Sequence, residues 1–263
     1  MLVFIHINKT AGRTVRYILR SSFGLRHCEV ERGPNQNDRP FSSADLRRVR
    51  KLYPRLASIG GHCVTGAIDL AEEDAKFNYF TFMRDPLKTC ASRFQYNVQY
   101  RGKRDLVFEE WIQQEWTRNH QTKMIAGTAD VGAAIRNIRA KPIFVGLTEC
   151  FDESMVMLQA LIANHLDISY KPVNAAHDNS IAKNLLENQR TRQILQEANQ
   201  ADLALYHFVT HEVYPAFQQT YGPQLAADVV RYRQTQRHEF NRWNLTLSRL
   251  KQFAVYKPLL RLL

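Results

Sequence analysis

A lysine, two threonines and a glycine stand together at positions 9 to 14, directly after the apolar residues Val3, Phe4, Ile5 and Ile7. A buried strand that stops abruptly in Lys9-Thr10-Ala11-Gly12-Arg13-Thr14 and gives way to helix-compatible residues gathers backbone N–H groups, an ammonium and hydroxyls around one point. That combination suits a phosphate or a sulfonate. The loop is not a Walker A sequence, in which lysine follows the second glycine; here Lys9 precedes Gly12. A surface turn with an ordinary exposed lysine has the same local sequence, so residues downstream carry the distinction. Arg84-Asp85-Pro86 follows the aromatic run 78–83, and Ser92 lies eight residues beyond Arg84. An arginine at a strand tip and a serine two turns into the next helix can grip one anion from two sides, since the guanidinium fork matches phosphate oxygens. The alternative for Arg84 is a pairing with Asp85 or a helix end. His62, after Gly60 and Gly61, is either a hydrogen-bonded turn residue or a proton acceptor.

These residues need a frame, and the hydrophobic pattern supplies one. Strands are expected around 3–7, 56–61, 78–83 and 141–146. Asp85 as N-cap and Pro86 at the first helical position predict a helix to about residue 100. Helical periodicity covers 151–166, 185–198 and 202–214, the last disturbed at Pro215, and 32–40 reads as a breaker-rich loop. Alternating strands and helices imply an α/β fold with a central, mostly parallel sheet flanked by helices. Lys9, His62 and Arg84 each fall just past a strand's carboxyl end, where such sheets bind ligands.

The 263 residues suffice for one substantial core, expected over 1–221, with a helical extension over 222–263 packed on it. No apolar run reaches eighteen residues, so no transmembrane span is expected. Without a basic leader before the first strand the chain is expected to stay in the cytoplasm, peripheral to a membrane at most. The four cysteines are scattered without zinc spacing, which fits a reducing compartment and predicts no metal site. The net charge of +11 is concentrated: 231–263 carries eight bases against one acid, Glu239. A solvated basic helix, an acidic substrate, an anionic membrane and nucleic acid all fit that charge; no nucleic-acid module is recognisable, so no specific nucleic-acid partner is expected. Trp243, Leu247, Leu250 and Phe253 beside Arg249 and Lys251 form a basic amphipathic pattern. Packing of those apolar residues on the domain is the expectation, and contact with an anionic membrane surface is the alternative.

Taken in order, the motifs resemble a known family. Ile5-His6-Ile7-Asn8-Lys9-Thr10-Ala11-Gly12 is similar to the 5′-phosphosulfate loop of the carbohydrate sulfotransferases that include the heparan sulfate 2-O- and 6-O-sulfotransferases. Phe82-Met83-Arg84-Asp85-Pro86 with Ser92 resembles that family's 3′-phosphate motif. Gly61-His62, Asn119-His120-Gln121-Thr122-Lys123-Met124, the stretch 146–154 and the stretch 199–206 resemble further family segments, so the likeness covers roughly residues 2 to 210. The chain departs from the pattern at Asn8, where proline is usual, at Arg13, where threonine or serine is, at Thr89 in place of an arginine, and at Lys123 in place of another.

The resemblance implies a P-loop-like three-layer fold and 3′-phosphoadenosine 5′-phosphosulfate as the donor, with in-line transfer of a sulfuryl group to a hydroxyl of a saccharide or other acceptor. Lys9 would neutralise charge on the bridging oxygen. The amides from Thr10, Ala11, Gly12, Arg13 and Thr14, with both threonine hydroxyls, would hold the 5′-phosphate. Arg84 and Ser92 would take the 3′-phosphate. No metal is required. His62 is the candidate general base, with His6, His120 and His177 as rivals. Gln121, Thr122 and Lys123 are candidates for the substrate edge. Two other classes stay open: a P-loop-like kinase, for which Asp85 would be the magnesium-binding acid, and a non-catalytic protein that binds anions, nucleic acid or membrane through a degenerate site.

Overall fold

Leu2, Val3, Phe4 and Ile5 are buried on both faces, as the middle strand of a parallel sheet requires. They form β1 (Leu2–Ile5), which leads through the Lys9 loop into α1 (Gly12–Phe23). The computed structural model describes residues 1–31, 40–68, 70, 77–102, 105–141, 143–171 and 178–262. Along the chain follow β2 (His27–Glu29), α2 (Ser43–Leu52), β3 (Ser58–Gly61), β4 (Asn78–Met83) and α3 (Pro86–Tyr100). Then come α4 (Phe108–Gln113), α5 (His120–Ala126), α6 (Val131–Ala140), β5 (Phe144–Leu147) and α7 (Phe151–Leu161). The chain continues through α8 (Ser180–Glu187), α9 (Gln189–Ala198), α10 (Gln200–Phe208) and α11 (Tyr214–Tyr221), and its tail is α12 (Leu225–Thr235), α13 (Arg242–Lys251) and α14 (Lys257–Leu262). This is an α/β fold: among the described residues the strands make one parallel sheet of order β2-β3-β1-β4-β5, flanked by helices. Ile5 is level with Gly61 on β3 and with Thr81 on β4, so three neighbouring strands deliver their next residues to one edge.

Local chemistry explains the helix starts. Ser42 and Asp45 close a reciprocal capping box on α2. Asp85 caps α3 by accepting from Lys88 N at 2.8 Å, with Pro86 at the first helical position, as its sequence predicts. The expected helix 185–198 is two helices, because the Asn188 side chain accepts from Thr191 N at 3.1 Å and starts α9 afresh. The expected helix 151–166 ends at Leu161, and the last strand runs from Phe144 to Leu147 rather than over 141–146. At Pro215 the helix does not stop. It widens into a π-helical turn, Val209–Val213, that accommodates the missing N–H and runs on into α11. The loop expected at 32–40 lies outside the described residues except for Pro40.

Strand β2 was not expected from sequence, and the tail is part of what holds it. On its outer edge the Gln252 side chain donates to Glu29 O at 2.6 Å and accepts from Glu29 N at 3.3 Å, as a neighbouring strand would. Tyr256 accepts from Glu31 N at 3.2 Å. Glu29 itself pairs with Arg16 at 2.7 Å and with Arg20. Leu225, Val229, Phe240 and Tyr256 of the tail share one apolar cluster with the strands. No helix among the described residues is long and apolar enough to cross a membrane.

His27, buried on β2, has Nδ1 2.7 Å from Ser58 Oγ, while its Nε2 has no partner. Burial, then Arg20 and Arg16, lower its pKa from 6.5 to about 3, against the opposing Ser58 hydrogen bond. The unfolded chain therefore binds a proton that the folded one refuses. Stability is full above pH 6.5 and falls as pH drops towards 3, by about 1.4 kcal/mol per unit and about 2 kcal/mol at pH 5. Urea unfolding at pH 7 and pH 5 is expected to show at least that loss, and equal stabilities would contradict it.

Candidate active site

Past Ile5 the chain stays buried through His6 and Ile7 and then turns sharply. Lys9 (φ 67°) and Ala11 (φ 59°) both adopt left-handed backbone, which non-glycine residues enter at a cost of about 1–2 kcal/mol each. The turn aims α1 at the site. Ala11 is its N-cap, no side chain caps the helix, and its first turn holds no acid. Such an end attracts anions through its N–H groups and its dipole. Thr10 is fully buried and donates its hydroxyl to Ile7 O at 3.0 Å, so it braces the loop. This differs from the expectation that both threonine hydroxyls reach an anion; Thr14, buried on the first turn, has no such commitment among the described residues.

Gly12 is dictated by the ring of His6. A Cβ at position 12 would lie 2.1 Å from both Cδ2 and Nε2 of that imidazole. His6 is sandwiched between Phe4 (ring centroids 5.2 Å apart) and His62 (4.0 Å). Burial, with His62, Arg16 and His120 nearby, drives its pKa well down, so it is a neutral platform and not a base facing solvent. Gly61 places His62 over that platform, since a Cβ there would lie 2.2 Å from Val30 O.

His62 Nδ1 lies 2.9 Å from His6 O. A carbonyl can only accept, so Nδ1 carries the hydrogen and the lone pair is on Nε2. The residue is exposed on one side, and the protein crowding its other side lowers its pKa. A neutral imidazole with its basic nitrogen free is the form a general base needs. In His120 the Nε2 lone pair already accepts from the Asn8 amide at 3.4 Å. Thus Asn8, where the resembled family has proline, makes a side-chain contact that proline cannot. His177 lies outside the described residues.

Lys9 and Arg84 form the cationic half of the site. Arg84 Nη1 donates to Lys9 O at 3.4 Å, and Lys9 Nζ lies 4.8 Å over the Tyr96 ring. Burial first, and Arg84 second, lower the Lys9 pKa. Neither cation has a carboxylate partner among the described residues. Ser92 sits one helical turn before Tyr96 on α3, and so on the face that meets the Lys9 loop. Arg13 is exposed on the first turn of α1.

The tip of β4 is locked from behind. Gln121 accepts from Arg84 N at 3.1 Å and donates to Arg84 O at 2.8 Å, and Thr148 donates to Met83 O at 3.0 Å. Asp85 N is held by Glu149 at 2.9 Å. Asp202 in turn caps α5, accepting from Gln121 N at 3.0 Å and from Thr122 N and Oγ1 at 2.7 Å each. Gln121 and Thr122 are therefore fully buried supports that line no open surface. Lys123, partly exposed, lies 2.7 Å from Glu115 O and 3.4 Å from its carboxylate. Sequence reasoning left Tyr96, Glu149 and Asp202 without a role; of these only Tyr96, four residues after Ser92, carried a readable spacing. No group of metal-ligating side chains occurs among the described residues.

Gly12→Ala is expected to force the His6 ring or the loop aside and destabilise the protein by about 1–3 kcal/mol, measurable by denaturant unfolding. Gln121→Ala removes both bonds to the Arg84 backbone and is expected to cost about 2–3 kcal/mol. Wild-type stability in either variant would contradict the packing described. No family model, curated protein or solved structure matches this chain, and its function is to be read from these residues and their geometry.

Proposed function

We propose that this protein is a sulfotransferase that moves a sulfuryl group from 3′-phosphoadenosine 5′-phosphosulfate to a hydroxyl of a glycan or glycolipid. The observation that carries the reading is the pairing of opposites at one sheet edge. Two cations with no acid partner among the described residues, Lys9 and Arg84, stand at a helix N-terminus that no described side chain caps, beside a histidine whose Nε2 has no partner among the described residues. The residue order resembling the carbohydrate sulfotransferases supplies the donor's identity.

In this reading the amides at the start of α1 and the Thr14 hydroxyl hold the 5′-phosphate, while Arg84 and Ser92 take the 3′-phosphate. Lys9 neutralises the charge that grows on the bridging oxygen as its bond to sulfur breaks. His62 Nε2 accepts the proton of the attacking hydroxyl as the new oxygen–sulfur bond forms, and Nδ1–H stays fixed on His6 O. Sulfuryl transfer makes demands like those of phosphoryl transfer, mainly alignment and charge stabilisation. A kinase reading is weaker, because Asp85, the acid it would place on magnesium, has Oδ1 engaged as the α3 N-cap.

Transfer from this donor to a panel of glycans tests the proposal. His62→Ala is expected to lower kcat about 10²–10⁴-fold while leaving the KM for the donor within a few-fold. The wild-type rate is expected to fall on acidification with an apparent pKa below 6.5, because the His62 pKa is lowered in the fold. Undiminished transfer by His62→Ala would assign the base elsewhere. Phosphoryl transfer from ATP, with none from the sulfated donor, would overturn the reaction class.

A further inference from the structure

The tail helix α13 is bound to the protein by its polar side and shows its apolar side to solvent. Asn244 donates to Ser21 O at 2.6 Å, Ser248 is buried, and Gln252, in the π-helical turn Gln252–Tyr256, grips the Glu29 backbone. Opposite them Trp243 is 79% exposed, Leu250 59% and Phe253 58%, with Leu247 exposed between. These are the residues expected from sequence to pack on the domain, and they do not. The polar contacts with α1 and β2 take the inward face and leave the apolar stripe without a partner in the described chain.

Charge says what covers it. Residues 241–263 carry five bases and no acid. Three of the bases are fixed by the fold: Arg249 donates to Tyr17 at 2.6 Å, Lys251 lies 4.1 Å over the Tyr53 ring, and Lys257 is 2.9 Å from Glu31. Arg242 is exposed and makes no ion pair among the described residues. A second copy docked here about a two-fold axis would set this basic segment against itself. A nucleic acid would meet the bases but leave Leu247, Leu250 and Phe253 uncovered. An anionic bilayer takes both: leucine and aromatic side chains enter the headgroup boundary while exposed Arg242 meets acidic lipids and the net positive charge of the segment attracts them.

We infer that the protein docks peripherally on anionic lipid bilayers through the outward face of α13 and the turn that follows it. The helix runs antiparallel to α1, from Ser21 towards Tyr17 and on to Glu31. It therefore leads to the same sheet edge that carries Lys9 and Arg84, the side where a lipid-linked acceptor would be met. The docking itself does not depend on the reaction proposed above.

Co-sedimentation with phosphatidylcholine vesicles, with and without phosphatidylserine, tests this on the full chain. Wild type is expected to bind the phosphatidylserine vesicles at least about tenfold better than the neutral ones, and less well at raised salt. Trp243→Ser with Leu250→Ser is expected to weaken that binding about tenfold or more without lowering the melting temperature, because both side chains are exposed. Arg242→Glu should weaken it while leaving the apolar face intact. Trp243 fluorescence should shift to the blue on binding, and Trp243→Phe should abolish the shift. Absence of vesicle binding by wild type would overturn the inference, as would undiminished binding by the double variant. Dimerisation abolished by the double variant, or oligonucleotide binding without vesicle binding, would assign the face to another partner and overturn it equally.

Discussion

Strand β1 is paired on both sides, in parallel, with β3 and β4, and that pairing fixes where the chain leaves the sheet at the candidate site. Ile5, Gly61 and Thr81 are level across the sheet, so His6 and His62 leave it as neighbours while β4 runs two residues further to present Arg84. His6, His62 and Arg84, far apart in sequence, thereby arrive at one edge directly from strand ends, and the short Lys9 loop joins them there. The central strand β1 is apolar and buried on both faces, and the burial that stabilises it also fixes the register of the site. The carbonyl of His6 then serves a second purpose, setting the tautomer of His62.

The site is assembled against its own electrostatics. Lys9 and Arg84 repel each other, the Lys9 loop holds two left-handed residues, and the first turn of α1 holds no acid. Such an arrangement persists only when its surroundings over-determine it. Here the surroundings are identifiable: Thr10 braces the loop, Gln121 holds both polar atoms of the Arg84 backbone, and Asp202 holds the helix that carries Gln121. An anion entering between the cations would offset their repulsion and accept from the N–H groups at the start of α1, which no described side chain caps. Specificity for a nucleotide bearing a 3′-phosphate would then come from Arg84 and Ser92, which sit apart from the Lys9 loop in sequence and are brought to it by β4 and α3.

How much of this could be read in the chain depended on whether the signal was local. The stop of the apolar run at Lys9, the Asp85-Pro86 helix start and the helix 86–100 are written in neighbouring residues. Strand β2 is not, because its edge is completed by Gln252, more than two hundred residues away. Gln121 and Thr122 look like surface polar residues on a short helix; only Asp202, from another helix, explains why they are buried. What distinguishes His62 from His6 and His120 is a carbonyl and an amide placed by tertiary structure. The tail misled for a related reason: periodicity reveals an apolar face but not its direction, and here buried Ser248 and Gln252 turned that face outward. The disturbance expected at Pro215 is local and takes the form of a π-helical turn.

In the function proposed, Lys9, Arg84, Ser92 and the start of α1 form one pocket for a nucleotide with phosphates at both the 3′ and 5′ positions. Calorimetric titration of adenosine 3′,5′-bisphosphate beside AMP and ATP, on wild type and on Arg84→Ala, measures this directly. Wild type is expected to bind the bisphosphate at least about tenfold tighter than AMP or ATP, and Arg84→Ala to erase most of that preference by removing a charge-assisted contact. Equal affinity for AMP, tighter binding of ATP, or a bisphosphate affinity untouched by the loss of Arg84 would contradict it.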